Sequence, residues 1–133
     1  MFLLKTTQIQ LFIASDENQL VEVIAQSIRA ANGERVAGYD DKDLGSMVKI
    51  GIERARSHEL TRAEDIAAYV AVMFEVAPRF DEQPEFREVF HDALFSSEAR
   101  FYQIFDRVKE DAWIEAQKKY EDSFWFTAGT ASN

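Results

Sequence analysis

Cysteine is absent from the 133 residues of this chain. Its absence removes disulfide frameworks, thiolate nucleophiles and cysteine-based zinc or iron sites together. Histidine is nearly as scarce, with only His58 and His91 present. Glycine and proline number 5 and 2, too few to punctuate a chain of many short strands, so helices are expected nearly throughout. No apolar run approaches the roughly 20 residues of a membrane-spanning helix. The apolar start at Met1 to Leu4 is interrupted by Lys5, Thr6, Thr7, Gln8 and Gln10, which leaves no hydrophobic core of signal-peptide length. The expected location is therefore the cytoplasm. Cations are also in deficit: 15 Lys and Arg stand against 24 Asp and Glu, a formal net charge of -9. Neither nucleic acid nor an anionic membrane is an expected partner, because both are bound through clustered cations. Such a field suits a basic protein, whose encounter it accelerates, and it also serves plain solubility.

What is present fits a folded domain. Hydrophobic residues make up 47% and charged residues 29%, a globular balance that is too apolar for a disordered chain. Eleven phenylalanines supply large buried area. One domain is the default at this length, assigned to residues 1–126, with 127–133 expected as a disordered tail.

Apolar residues recur at three and four. A first helical region is expected from Thr7 to Ala31, broken near Ser15 and Asp16, with Ile9, Phe12, Ile13, Leu20, Val23, Ile24 and Ile28 as its buried stripe. Asn32 and Gly33 are expected to end it, since both tolerate the left-handed conformation. Asp40, Asp41 and Asp43 suit the positive start of the next helix, which carries Leu44, Met47, Val48, Ile52 and Ala55. Gly51 inside that helix costs about 1 kcal/mol relative to alanine, which points to a close helix crossing. Thr61-Arg62-Ala63-Glu64 reads as a capping box. It opens the expected central helix through Ile66, Tyr69, Val70, Met73, Phe74 and Ala77, stopped by Pro78. Pro84 fits the first turn of a further helix with Phe86, Val89, Phe90, Ala93 and Leu94 on its stripe. Ser96 and Ser97 then cap one long last helix through Phe101, Ile104, Phe105, Val108, Ala112 and Ala116. Trp113 lies off that stripe. Phe124-Trp125-Phe126 is apolar enough to dock. These elements add up to an all-α, single-domain orthogonal bundle of about five or six helices.

Catalytic signals are sparse. A Gly-x-Ser-x-Gly elbow and a Gly-rich phosphate loop are both lacking. Glu88 and His91, three apart and with Asp92 adjacent, are a metal pair that can be written down. A metal-dependent enzyme centred on them is the reading from another class, and no cofactor is expected. His58 is expected exposed in a turn, and Asp65 and Asp106 on the surface or as caps. Protein binding suits the remaining features. Arg79, Phe80, Asp81, Glu82, Glu85 and Phe86 combine arginine and aromatic anchors with acids, the composition of an interface hot spot. Self-association through Phe124 to Phe126 is a third class.

Gln8 to Phe12, Gly51-Ile52-Glu53-Arg54-Ala55-Arg56, the Thr61 to Glu64 segment, and Tyr69-Val70-Ala71-Val72-Met73-Phe74 followed by Pro78-Arg79-Phe80-Asp81 resemble small helical bacterial proteins encoded beside PAAR-type spike and toxin genes of type VI secretion systems. Where the family tends to carry a Pro-Trp pair after the second acidic stretch, this chain has Phe86 and Arg87. The resemblance implies a non-enzymatic immunity protein that binds and neutralises a basic toxin. The alternative it implies is a chaperone or adaptor that loads an effector onto the secretion spike.

Overall fold

A computed structural model describes residues 17–126. The expectations for Ile9, Phe12 and Ile13, and for the tail 127–133, lie outside those residues. The described chain is all-α, with no strand. We number its helices α1 Glu17–Ala31, α2 Asp41–Ser57, α3 Ala63–Glu75, α4 Pro84–Phe90, α5 Ser97–Arg107 and α6 Glu110–Gln117, with a 3-10 turn at Phe80–Glu82 before α4. A last helical turn covers 123–126. One continuous core joins them all.

Helix α3 lies at the centre of the fold. Nine of its residues are buried, Asp65 and Tyr69 among them, and both α1 and α2 pack on it. Gly51 is where α2 comes closest: a Cβ there would lie 3.1 Å from both γ carbons of Val70. The crossing is thus built on a missing side chain, as its place inside a helix suggests.

Several local expectations change. The Thr61 to Glu64 capping box does not form: Arg62 is the N-cap of α3, with no side-chain cap bond, and Glu64 pairs with the Arg62 guanidinium instead. Helix α1 ends where expected but not by a left-handed residue, since neither Asn32 nor Gly33 has positive φ. Gly33 is needed for space, because a Cβ would meet the Arg29 carbonyl at 3.0 Å. The left-handed cap falls after α2, on Glu59 at φ 65. There Glu59 N–H donates to the Arg56 carbonyl (2.8 Å) and Leu60 N–H to that of Ala55 (3.4 Å), a Schellman closure with buried Leu60 as its apolar plug.

Helix α4 stops at Phe90, so Ala93 and Leu94 leave its stripe, and Leu94 is 90% exposed. Asp92 shapes the turn that follows, accepting from Leu94 N–H (3.0 Å) and from Arg107 (2.8 Å). The expected long last helix is two helices. Val108 is extended at φ -83, ψ 126, and its carbonyl accepts from the Trp113 indole at 3.2 Å. Trp113 then stacks on Phe105 and meets the Phe86 edge. The break brings onto the core a tryptophan that an unbroken helix would hold off it. Ser96 caps α5 as expected, accepting from Ala99 N–H at 3.2 Å.

Candidate functional site

Two features stand out: a buried carboxylate held by three donor side chains, and a groove lined by apolar side chains and acids. The first is centred on Asp81, which is 7% exposed. The 3-10 turn aims its carboxylate inward because Phe80, its neighbour, is fully buried. Arg54, near the end of α2, grips it twice, with Nη2 2.7 Å from Oδ1 and Nε 3.1 Å from Oδ2. The same Nη2 reaches Glu82 at 2.7 Å. His58, one turn beyond Arg54, places Nε2 2.7 Å from Oδ2 and stacks on Phe90 with ring centroids 4.4 Å apart. Tyr69, on the facing side of α3, donates its hydroxyl to the same oxygen.

The charge of Asp81 is well compensated. Burial alone would raise its pKa, but His58, Arg54 and Tyr69 outweigh burial and hold the carboxyl down at about 2. Burial, and then the carboxylate beside it, push the Tyr69 phenol well above its ordinary range, so it stays a donor. With three donors on two oxygens, Asp81 has little capacity left for a substrate. Its chemistry is that of a clamp between α2, α3 and the turn, and a charge reversal at Asp81 would read folding rather than binding.

The proposed hot spot thus divides. Phe80 and Phe86 are fully buried and face each other edge-on, so they are core residues rather than partner anchors, because the 3-10 turn points Phe80 inward and Phe86 lies on the buried face of α4. Asp81 is buried with them. Arg79, Glu82 and Glu85 remain exposed. Arg79 lies over the Phe124 ring at 5.5 Å, and Glu85 accepts from Lys109 N–H at 3.5 Å. His58 is half-buried rather than free, for the reasons above. Asp65 is also internal, not a surface acid: Tyr102 donates to its Oδ1 at 2.7 Å, while buried Oδ2 has no hydrogen-bond partner and lies 4.0 Å from Arg62 Nε. Asp106 is on the surface. Glu88 and His91 are both exposed, and no group of three or more His, Cys, Asp or Glu suited to a metal gathers among the described residues.

Sequence reading missed the hub, yet two signals pointed to it. Arg54 and His58 are four apart and so share a helix face. Tyr69 sits in the most apolar helix, where a phenol needs an acceptor. Nothing local names Asp81 as that acceptor.

The second feature is an open groove of about 540 Å³ between the end of α3, the end of α5 and α6. Phe105, Val108, Trp113 and Ile114 supply apolar surface, and Glu75 and Glu110 supply carboxylates. Compared with protein-family models, curated proteins and solved structures, the chain matches none.

Proposed function

We propose that this chain is a non-catalytic protein-binding module for a basic partner, working as the immunity protein of a secreted interbacterial toxin. The observation that carries this reading is the direction in which most of the arginines point. Arg54, Arg56 and Arg107 are paired with the protein's own carboxylates. Arg35 and Arg100 are turned onto the backbone carbonyls of Phe74 and Asp92, and Arg29 binds both Asp41 and the Tyr39 carbonyl. Arginine, the residue best suited to bidentate contacts with a partner, is thus largely used inside the fold. Exposed acids such as Glu53, Glu88, Asp106, Asp111, Glu121 and Asp122 are left to set the outward field, which accelerates encounter with a cationic surface and can occlude a basic active site.

The resemblance of roughly the first 85 residues to type VI secretion accessory proteins supports the toxin as partner. It supports equally an effector chaperone, which would use the same field. No helix among the described residues is long and apolar enough to cross a membrane, and binding in the cytoplasm is the setting we propose. The test is co-expression with the products of neighbouring genes. A stoichiometric complex on size exclusion, whose affinity falls steeply with salt, is expected. Rescue of growth from the toxin identifies immunity, and complex formation without rescue identifies the chaperone. Absence of a complex with any of these products refutes the proposal.

A further inference from the structure

We propose that the groove between α3, α5 and α6 receives an amphipathic helix of a partner protein, with apolar side chains facing Trp113 and Ile114 and Lys or Arg flanking them. This inference rests on the protein-binding reading and specifies its surface.

Three observations support it. Polar and apolar surface line the groove in nearly equal measure, and the Trp113 indole N–H at its floor is already spent on the Val108 carbonyl at 3.2 Å. A small polar ligand needs several convergent donors and acceptors for its orientation, and beyond its carboxylates the groove offers little more than Gln117. An amphipathic helix needs only apolar room at its anchor positions.

Next, Ile114 is 42% exposed on the groove edge, a branched apolar side chain that the protein's own core does not cover. Lastly, both ionisable groups lining the groove are acids, Glu75 and Glu110, and no ion pair neutralises either among the described residues. Nearby Lys118 is held by Glu115 at 3.1 Å. Carboxylates beside an apolar floor select against an acidic helix and for a basic one.

The groove carries its own reporter. Trp113 lines it at 8% exposure, whereas Trp125 is sealed at 1% against Phe74, so an occupant changes Trp113 emission. The probe is a leucine–lysine peptide of about 18 residues with helical periodicity, long enough for about five turns. A scrambled peptide of the same composition and a leucine–glutamate analogue serve as comparisons. The expected result is micromolar binding of the first alone. Ile114→Lys is expected to weaken it roughly ten-fold or more. Glu75→Lys with Glu110→Lys is expected to do the same and to admit the leucine–glutamate peptide. These variants change groove-lining residues outside the Asp81 hub, and Glu75→Lys places a cation in the last turn of α3, where the helix dipole favours it; circular dichroism confirms the fold. Equal binding of the scrambled peptide overturns the proposal, as does an unchanged affinity in Ile114→Lys. If the neighbouring gene product binds Ile114→Lys as tightly as the parent, the groove is wrong while the protein-binding function stands. If the peptide binds as expected but no such product does, the groove stands and the toxin assignment falls.

Discussion

Replacing Asp81 with asparagine keeps the shape of the buried hub and removes its charge. In the fold the carboxyl falls from 3.8 to about 2, and at 1.36 kcal/mol per unit that gap is worth about 2.5 kcal/mol of stability in the ionised form. The folded value is the lower one. The contribution is therefore complete above the unfolded value and is lost as pH falls from 3.8 through about 2. Removing one partner of a buried ion pair costs 3–5 kcal/mol in general. Here Arg54 keeps Glu82 and is 23% exposed, so the low end, about 3 kcal/mol, is expected at neutral pH. Urea denaturation followed by far-ultraviolet circular dichroism measures it. Repeating the titration at falling pH separates the causes, since other carboxylates titrate equally in both proteins. The gap between parent and Asp81→Asn should narrow by about 2 kcal/mol by pH 2, where the folded carboxyl is half protonated, and by the rest below it. A neutral-pH loss under about 1 kcal/mol, within the range of an exposed ion pair, or a gap that stays constant through the acid range, would refute the hub as a source of stability.

Gly51→Ala should destabilise by about 1 kcal/mol despite alanine's better helix propensity, because the new methyl meets stiff, fully buried Val70 at 3.1 Å; adding Val70→Ala should shrink the penalty in a double-mutant cycle. Glu59→Gly should raise stability by about 0.5–1 kcal/mol in thermal or urea unfolding, since Glu59 holds φ 65, a conformation that is costly for any residue with a Cβ. A loss there would show that its 2.7 Å bond from Ser97 outweighs backbone strain. Tyr102→Phe should cost about 1–3 kcal/mol, because it removes the hydrogen bond to Asp65, whose other oxygen has none. The phenol itself, raised by burial and then by Asp65, should show no ionisation in an absorbance titration through the ordinary tyrosine range.

Periodicity alone carried the helical class, the apolar stripes of α1 to α3, the Asp40 and Ser96 caps and the Gly51 crossing, because each depends on neighbours within one or two turns. Trp113 lies off the stripe expected of one long helix, and only the tertiary structure shows why, in the break between α5 and α6. What local pattern did not reveal was which charged side chains go inside. Asp81 lies among polar residues and reads as solvated, yet Arg54, 27 positions earlier, and Tyr69 on another helix draw it inward. A buried charge is tolerated only when partners distant in sequence arrive together, and one sequence does not state that arrival. For the same reason Phe80 and Phe86, anchors by composition, are core by tertiary packing. The groove on α6 exists only because the chain turns at Val108. Sequence by itself determined an acidic, cysteine-free helical chain with one apolar core; tertiary contact alone decided which acids stabilise it and which face outward to meet a partner.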